Sequence, residues 1–141
     1  MYKKKIFVSF DFENDRNYKY LLEAWNSNPE FEFEFEDKSS REISSWNIST
    51  VKAGLTRKIN EADYTLVIVG KEANKLHKDR ALIGYRNWQN FEIAKSKQNG
   101  NKLIAVKLDR TYASPEELLN SNASWAFSFS ESEIVKAVKK A

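Results

Sequence analysis

The chain contains no cysteine, so disulfides, thiolate metal sites and cysteine nucleophiles are excluded in one step. Histidine is almost as scarce. His77 is the single one, which rules out a zinc cluster built on histidines within one chain and obliges any Ser-His-Asp triad to use that residue. Neither a GxGxxG turn nor a P-loop is present, so two familiar phosphate cradles are missing as well. No apolar run approaches the length of a membrane span. The basic start Lys3 to Lys5 leads into Ile6 to Phe10, which already holds Ser9 and stops at Asp11, so no export signal is read and a cytoplasmic protein is expected. An excess of one charge is lacking too: 23 basic and 20 acidic residues leave a net +3 spread along the chain. Neither nucleic acid nor a membrane is expected as a partner.

What is present is the material of a core. Apolar residues make up 41% of the chain, with nine phenylalanines, six tyrosines and four tryptophans, which argues for a folded protein. A length of 141 residues suits a single domain over 1–141. Its centre is read at Asp63 to Gly70 (DYTLVIVG), where an apolar, β-branched block too short for a helix is closed by glycine, the pattern of a strand buried on both faces. Ile6 to Phe10 and Leu103 to Val106 read as two more inner strands. Phe31 to Glu36 (FEFEFE) alternates strictly and Trp125 to Phe129 alternates likewise, so both read as edge strands.

Helices are expected between them. From Asp15 the positions Tyr18, Leu21, Leu22 and Trp25 recur at helical spacing until Asn26-Ser27-Asn28-Pro29, and Ile48, Val51, Leu55 and Ile59 form one clear stripe. A helix from Trp88 to Lys97 stops at Asn99-Gly100, and Ser130 to Glu133 opens a closing helix. Lys71 to Asn87 reads as a long basic loop. With the alternating strands at the edges, the strand order is 2-1-3-4-5: a five-stranded parallel sheet with helices on both faces, the three-layer flavodoxin-like arrangement.

In such a sheet ligands bind beyond the carboxyl ends of the strands where the order reverses, here between the first and third. Phe10, Asp11, Phe12, Gly70 and Lys71 fall there, and the spacing of four places Trp88 and Glu92 on the helix face that flanks it. Val69-Gly70 stand where a phosphorylatable receiver needs an aspartate, and Asp11, Glu13 and Asp15 would repel the phosphate of FMN. On pattern alone Glu92 reads more readily as a surface glutamate paired with Ser96 or Lys95 than as a site residue, and Trp46 as either a ring that stacks on a ligand or a staple for the next helix.

Three stretches carry a family resemblance. KIFVSFDFEND, EADYTLVIVG and NWQNFEIAKS, in that order, resemble the first strand and loop, the third strand and the W-x-x-x-E helix of the TIR-like domains found in the bacterial Thoeris anti-phage system. Arg86-Asn87 stand where those domains commonly carry a serine just ahead of the tryptophan. The resemblance implies a TIR-like fold and an enzyme that cleaves the bond between nicotinamide and ribose in NAD+, with Glu92 as its catalytic residue and no further cofactor or metal. Phe10, Asp11, Phe12, Trp46 and Trp88 are then expected about the substrate, with the basic loop near its pyrophosphate. It also implies a homo-oligomer formed through TIR-TIR contacts and a downstream nucleotide-sensing effector. The alternative it leaves open is a non-catalytic assembly module.

Overall fold

The computed structural model describes residues 4–26, 33–36 and 47–141. Among these, Lys4–Ser9 (β1), Phe33–Glu36 (β2), Tyr64–Val69 (β3), Lys102–Lys107 (β4) and Ser124–Ala126 (β5) form one parallel sheet in the order β2-β1-β3-β4-β5. The helices are Phe12–Asn26 (α1), Ile48–Glu61 (α2), Arg80–Ile83 (α3), Trp88–Asn99 (α4) and Glu131–Lys140 (α5), with a 3-10 turn at Glu116–Leu118.

All six residues of β3 are buried. The strand is bonded on both edges, Leu66 lying between Val8 and Ile104, and it is covered on both faces. On one face Ile6, Val8, Phe10, Leu66, Ile68, Ile104 and Val106 pack with Leu22 of α1 and Ile134, Ala137 and Val138 of α5. On the other, Phe7 meets Val51, Leu55 and Ile59 of α2 and Phe91 of α4, while Val67, Val69 and Ala105 meet Ile93. Alternate residues of one strand thus feed two cores, and each fully buried aliphatic side chain is worth roughly 1.5–3 kcal/mol. No helix among the described residues is long and apolar enough to cross a membrane.

Three details differ from the sequence reading. Helix α1 begins at Phe12 rather than Asp15, because Asp11 caps it: Asp11 Oδ1 accepts from Glu13 N at 3.1 Å and Asp11 O from Asp15 N at 2.7 Å. β5 is three residues long; Ala126 faces the core, Trp125 and Phe127 stack outside, and Phe129 turns back onto Tyr18 and Trp25. Only positions 33–36 of the expected strand 31–36 are described, and residues 37–46 lie outside the described residues. Finally, Lys71 to Asn87 is not an open loop. It holds α3, buries Ala73 and Ile83 completely, and is closed by His77 N on Arg86 O at 2.9 Å and Arg86 Nε on Asn74 O at 2.5 Å.

Asn87 ends that segment and starts α4. Its Oδ1 accepts from Asn90 N at 2.9 Å, while its Nδ2 donates to Ala73 O and Lys75 O, both at 2.9 Å. One amide therefore caps the helix and pins the preceding segment. The far end stops at Gly100, whose φ of 77° lies where only glycine is unstrained, and its amide donates back to the α4 carbonyls of Ser96 and Lys97. Asn90 Nδ2 also donates to Asn87 Oδ1, at 3.0 Å. Asn87→Ala removes all four side-chain bonds of a 9% exposed residue and is expected to lower stability by about 2–4 kcal/mol in urea unfolding; a loss under about 0.5 kcal/mol would show that Asn87 does not hold the helix.

Candidate active site

Parallel strands bring their carboxyl ends to one rim, and the order reverses between β1 and β3. Ser9 ends β1 there, and Gly70 follows β3. Helix α4 is tied to that rim by two side chains three residues apart on one face. Gln89 Nε2 donates to Ile68 O at 2.9 Å and to Ser9 O at 3.3 Å. Glu92 Oε1 accepts a 2.7 Å hydrogen bond from Ser9 Oγ. The glutamate is 2% exposed, and burial pushes its carboxyl up to about 8 against the smaller, opposing pull of the Ser9 hydroxyl.

A second acid reaches the same rim from the other side of the sheet. Asp15, in the first turns of α1, is 5% exposed, and its Oδ2 has no hydrogen-bond partner among the described residues. Burial, and after it the neighbouring Asp11, raise its carboxyl to about 6. It lies directly against Gly70: a β-carbon there would stand 2.6 Å from Asp15 Cγ and nearer still to Oδ2. A side chain at position 70 would require the Asp15 carboxyl to shift from this position.

The residues expected about the substrate are distributed as follows. Glu92 stands at the rim, and the surface pairing considered for it does not form: Ser96 Oγ donates to the backbone oxygen of Glu92 at 2.7 Å, and Lys95 turns to Gln98 and over the Phe91 ring. Phe10 is packed into the α1/α5 core, so its ring is committed to packing rather than presented for stacking. The carboxylate of Asp11 is occupied locally, by Glu13 N and by Asn14 Nδ2 at 2.6 Å. Phe12 opens α1; its side chain, like Trp46 as a whole, lies outside what is described. Trp88 sits edge-on to Phe91 and His77 and is partly buried against the α2 core. Lys71 is exposed beside Gly70.

Ser9 and Gln89 have no site role in the sequence pattern, and Asp15 figures there only as an acid that repels phosphate. A hydroxyl interrupting an otherwise apolar strand, and a glycine closing one, were the available signals. The described residues hold no cluster of acids and histidines fit for a metal ion. An open groove of about 610 Å³ lies elsewhere, between α2 and α4, lined by Lys52, Arg57, Lys95 and Phe91 among others, and neither Ser9 nor Glu92 borders it.

The buried carboxyl sets a pH dependence. Glu92 holds its proton to about 8 in the folded chain, against 4.5 ordinarily, so its contribution to stability is full below about 4.5 and is lost as pH rises through about 8. Glu92→Gln keeps an oxygen for Ser9 and removes the ionisation. In thermal melts from pH 5 to 9 the wild type is expected to lose stability more steeply than Glu92→Gln, which gains several degrees at pH 9. Parallel curves would mean that the carboxyl is not desolvated.

Comparison with known proteins places this geometry in a family. The sequence profile described as Thoeris protein ThsB, TIR-like domain, matches residues 7–113. A comparison with curated proteins finds no significant match. Among solved structures, the 2-deoxyribosyltransferase of the psychrotolerant bacterium Bacillus psychrosaccharolyticus is 17% identical, with 92% of this chain aligned to 90% of that one at a TM-score of 0.58. The TIR domains of the activated Roq1 resistosome, which recognises the pathogen effector XopQ, are 18% identical over 74% of this chain and 57% of that one, at a TM-score of 0.48. The structural likeness to the transferase is one of fold, whereas the profile match spans most of the chain, from β1 through α4 and β4: the protein belongs to the family of Thoeris ThsB TIR-like domains.

Proposed function

We propose that this chain cleaves the N-glycosidic bond between nicotinamide and ribose in NAD+, with Glu92 facing the ribose. The family implies a part in Thoeris anti-phage defence. The observation that carries the enzymatic reading is the buried carboxyl of Glu92, held by Ser9 at the sheet's switch point with its proton affinity raised. Such groups cost stability and gather at functional sites.

The chemistry suits a carboxyl in that position. As the C1′–N1 bond breaks, its electron pair goes to the pyridinium nitrogen, and nicotinamide departs as a neutral molecule that needs no acid. The positive charge left on the sugar is stabilised by an anion beside it. Glu92 is protonated at neutral pH in the free chain, and the cationic ring of the substrate favours its ionised form on binding. Ser9 fixes the rotamer in which the carboxyl waits. The oxocarbenium is then captured by water, or by a hydroxyl or ring nitrogen of a nucleotide, giving free, cyclised or conjugated ADP-ribose. Lys71, beside Gly70, is suited to the pyrophosphate, and the TIR-TIR oligomer and nucleotide-sensing effector implied by the resemblance belong to this proposal. A non-catalytic assembly module is the second reading, favoured by the exposed Trp125–Phe127 stack, with Lys107 and Arg110 over those rings.

Incubation with NAD+, nicotinamide being followed by chromatography, separates the two. Wild-type protein is expected to release nicotinamide, with kcat/KM rising as pH passes through about 8, where the free carboxyl ionises. Glu92→Gln is expected to lower the rate at least a hundredfold, and Ser9→Ala to lower it about tenfold while the fold persists. Equal release by Glu92→Gln would remove the glutamate from the chemistry, and absence of release by the wild type even with a triggering partner would favour the assembly reading.

A further inference from the structure

The proposed chemistry employs Glu92 and leaves the second buried acid at the rim without a task. Asp15 is not explained by helix formation. An acidic side chain near the start of α1 complements the helix dipole, but Glu13 does this while exposed to water, and it gains nothing from enclosure. Nor does Asp15 cap the helix, because Asp11 fills that role. An enclosed carboxyl oxygen without a donor costs about 1–3 kcal/mol or more, and none among the described residues answers Asp15 Oδ2.

Two elements distant in sequence are shaped around this group. Gly70 leaves the end of β3 bare where any β-carbon would collide with the carboxyl, so the start of α1 and the end of β3 meet around Asp15 and not around an apolar side chain. Ser9 and Glu92 stand at the same rim, on the α4 side of the sheet, while Asp15 approaches from the α1 side. The rim at the ends of β1 and β3 thus carries a carboxyl on each face of the sheet. One is satisfied by a hydroxyl of the protein, and the other has an oxygen that lacks such a donor.

We infer that Asp15 is a sugar-binding residue of this site, its carboxyl accepting a ribose hydroxyl of the bound dinucleotide opposite Glu92, an inference that rests on the NAD+ reading for the identity of the sugar. The hydroxyl supplies the donor that the free chain lacks. Asp15 thereby holds the ribose in register with Glu92 and sets a preference for sugars that keep the hydroxyl.

Binding tests this without reliance on turnover. Affinity for NAD+, and for NAD+ analogues lacking the 2′ or the 3′ hydroxyl of the nicotinamide ribose, is measured by calorimetry on Glu92→Gln protein and on the same protein carrying Asp15→Asn or Asp15→Ala. Loss of the Asp15 carboxyl is expected to weaken NAD+ at least tenfold. One deoxy analogue should bind equally weakly with and without Asp15, while the melting temperature of Asp15→Asn stays at or above that of its parent. NAD+ affinity unchanged within twofold, or a deoxy penalty that is the same whether or not Asp15 is present, overturns the inference. If NAD+ is bound and cleaved by wild type while the Asp15 variants bind normally, the role of Asp15 falls and the NAD+ reading stands; if no variant binds NAD+, both fall together.

Discussion

A glutamate side chain withdrawn from water at the end of a parallel sheet, with a serine hydroxyl as its partner, governs the organisation around it. Holding Glu92 there requires α4 to lie nearly flush with the ends of β1 and β3, and a helix in that position buries almost every side it has. Gln89, Asn90, Phe91, Glu92, Ile93, Ala94 and Ser96 are all enclosed. The polar members of that set are tolerated because each has a partner: Gln89 on the strand carbonyls, Asn90 Oδ1 accepting from Glu117 N, Ser96 on Thr65 Oγ1 at 2.6 Å. The helix is positioned through its hydrogen bonds as much as through its apolar contacts.

That requirement propagates to the segment before it. Asn87 caps α4 and grips the Ala73 and Lys75 carbonyls, Asn74 Oδ1 accepts from Asn90 Nδ2 and from Glu116 N, and the short helix α3 buries Ile83 against α2. A basic stretch that reads as a free loop is thereby a bracket. It fixes the pitch at which α4 leaves the rim, and so the position of Glu92 relative to Ser9.

Stability is lost at the rim and recovered in the cores. Two carboxyls are desolvated there, with proton affinities raised to about 8 and about 6, and a glycine sits where a side chain would have packed. The continuous apolar faces of β3 and its neighbours offset this, since each strand supplies alternate residues to two separate helical layers. Local rules are broken at the candidate site and obeyed elsewhere.

Much of the architecture was legible in the chain itself. The buried run Leu66 to Val69, the stripe Val51, Leu55, Ile59 and the stop at Asn99-Gly100 depend on neighbours in sequence, and period and composition suffice to read them. The strand order followed from which strands alternate and which do not. What pattern could not supply was the environment of individual polar groups. Pattern alone favours Glu92 as a surface residue until α4 is laid against β1, because its partner Ser9 is 83 residues away. Asp15 reads as one of three acids in a turn until the end of β3, with its missing side chain, comes to rest against it. Periodicity is a short-range property written into consecutive residues, while desolvation and the partner of a buried charge arise only when distant segments are packed together.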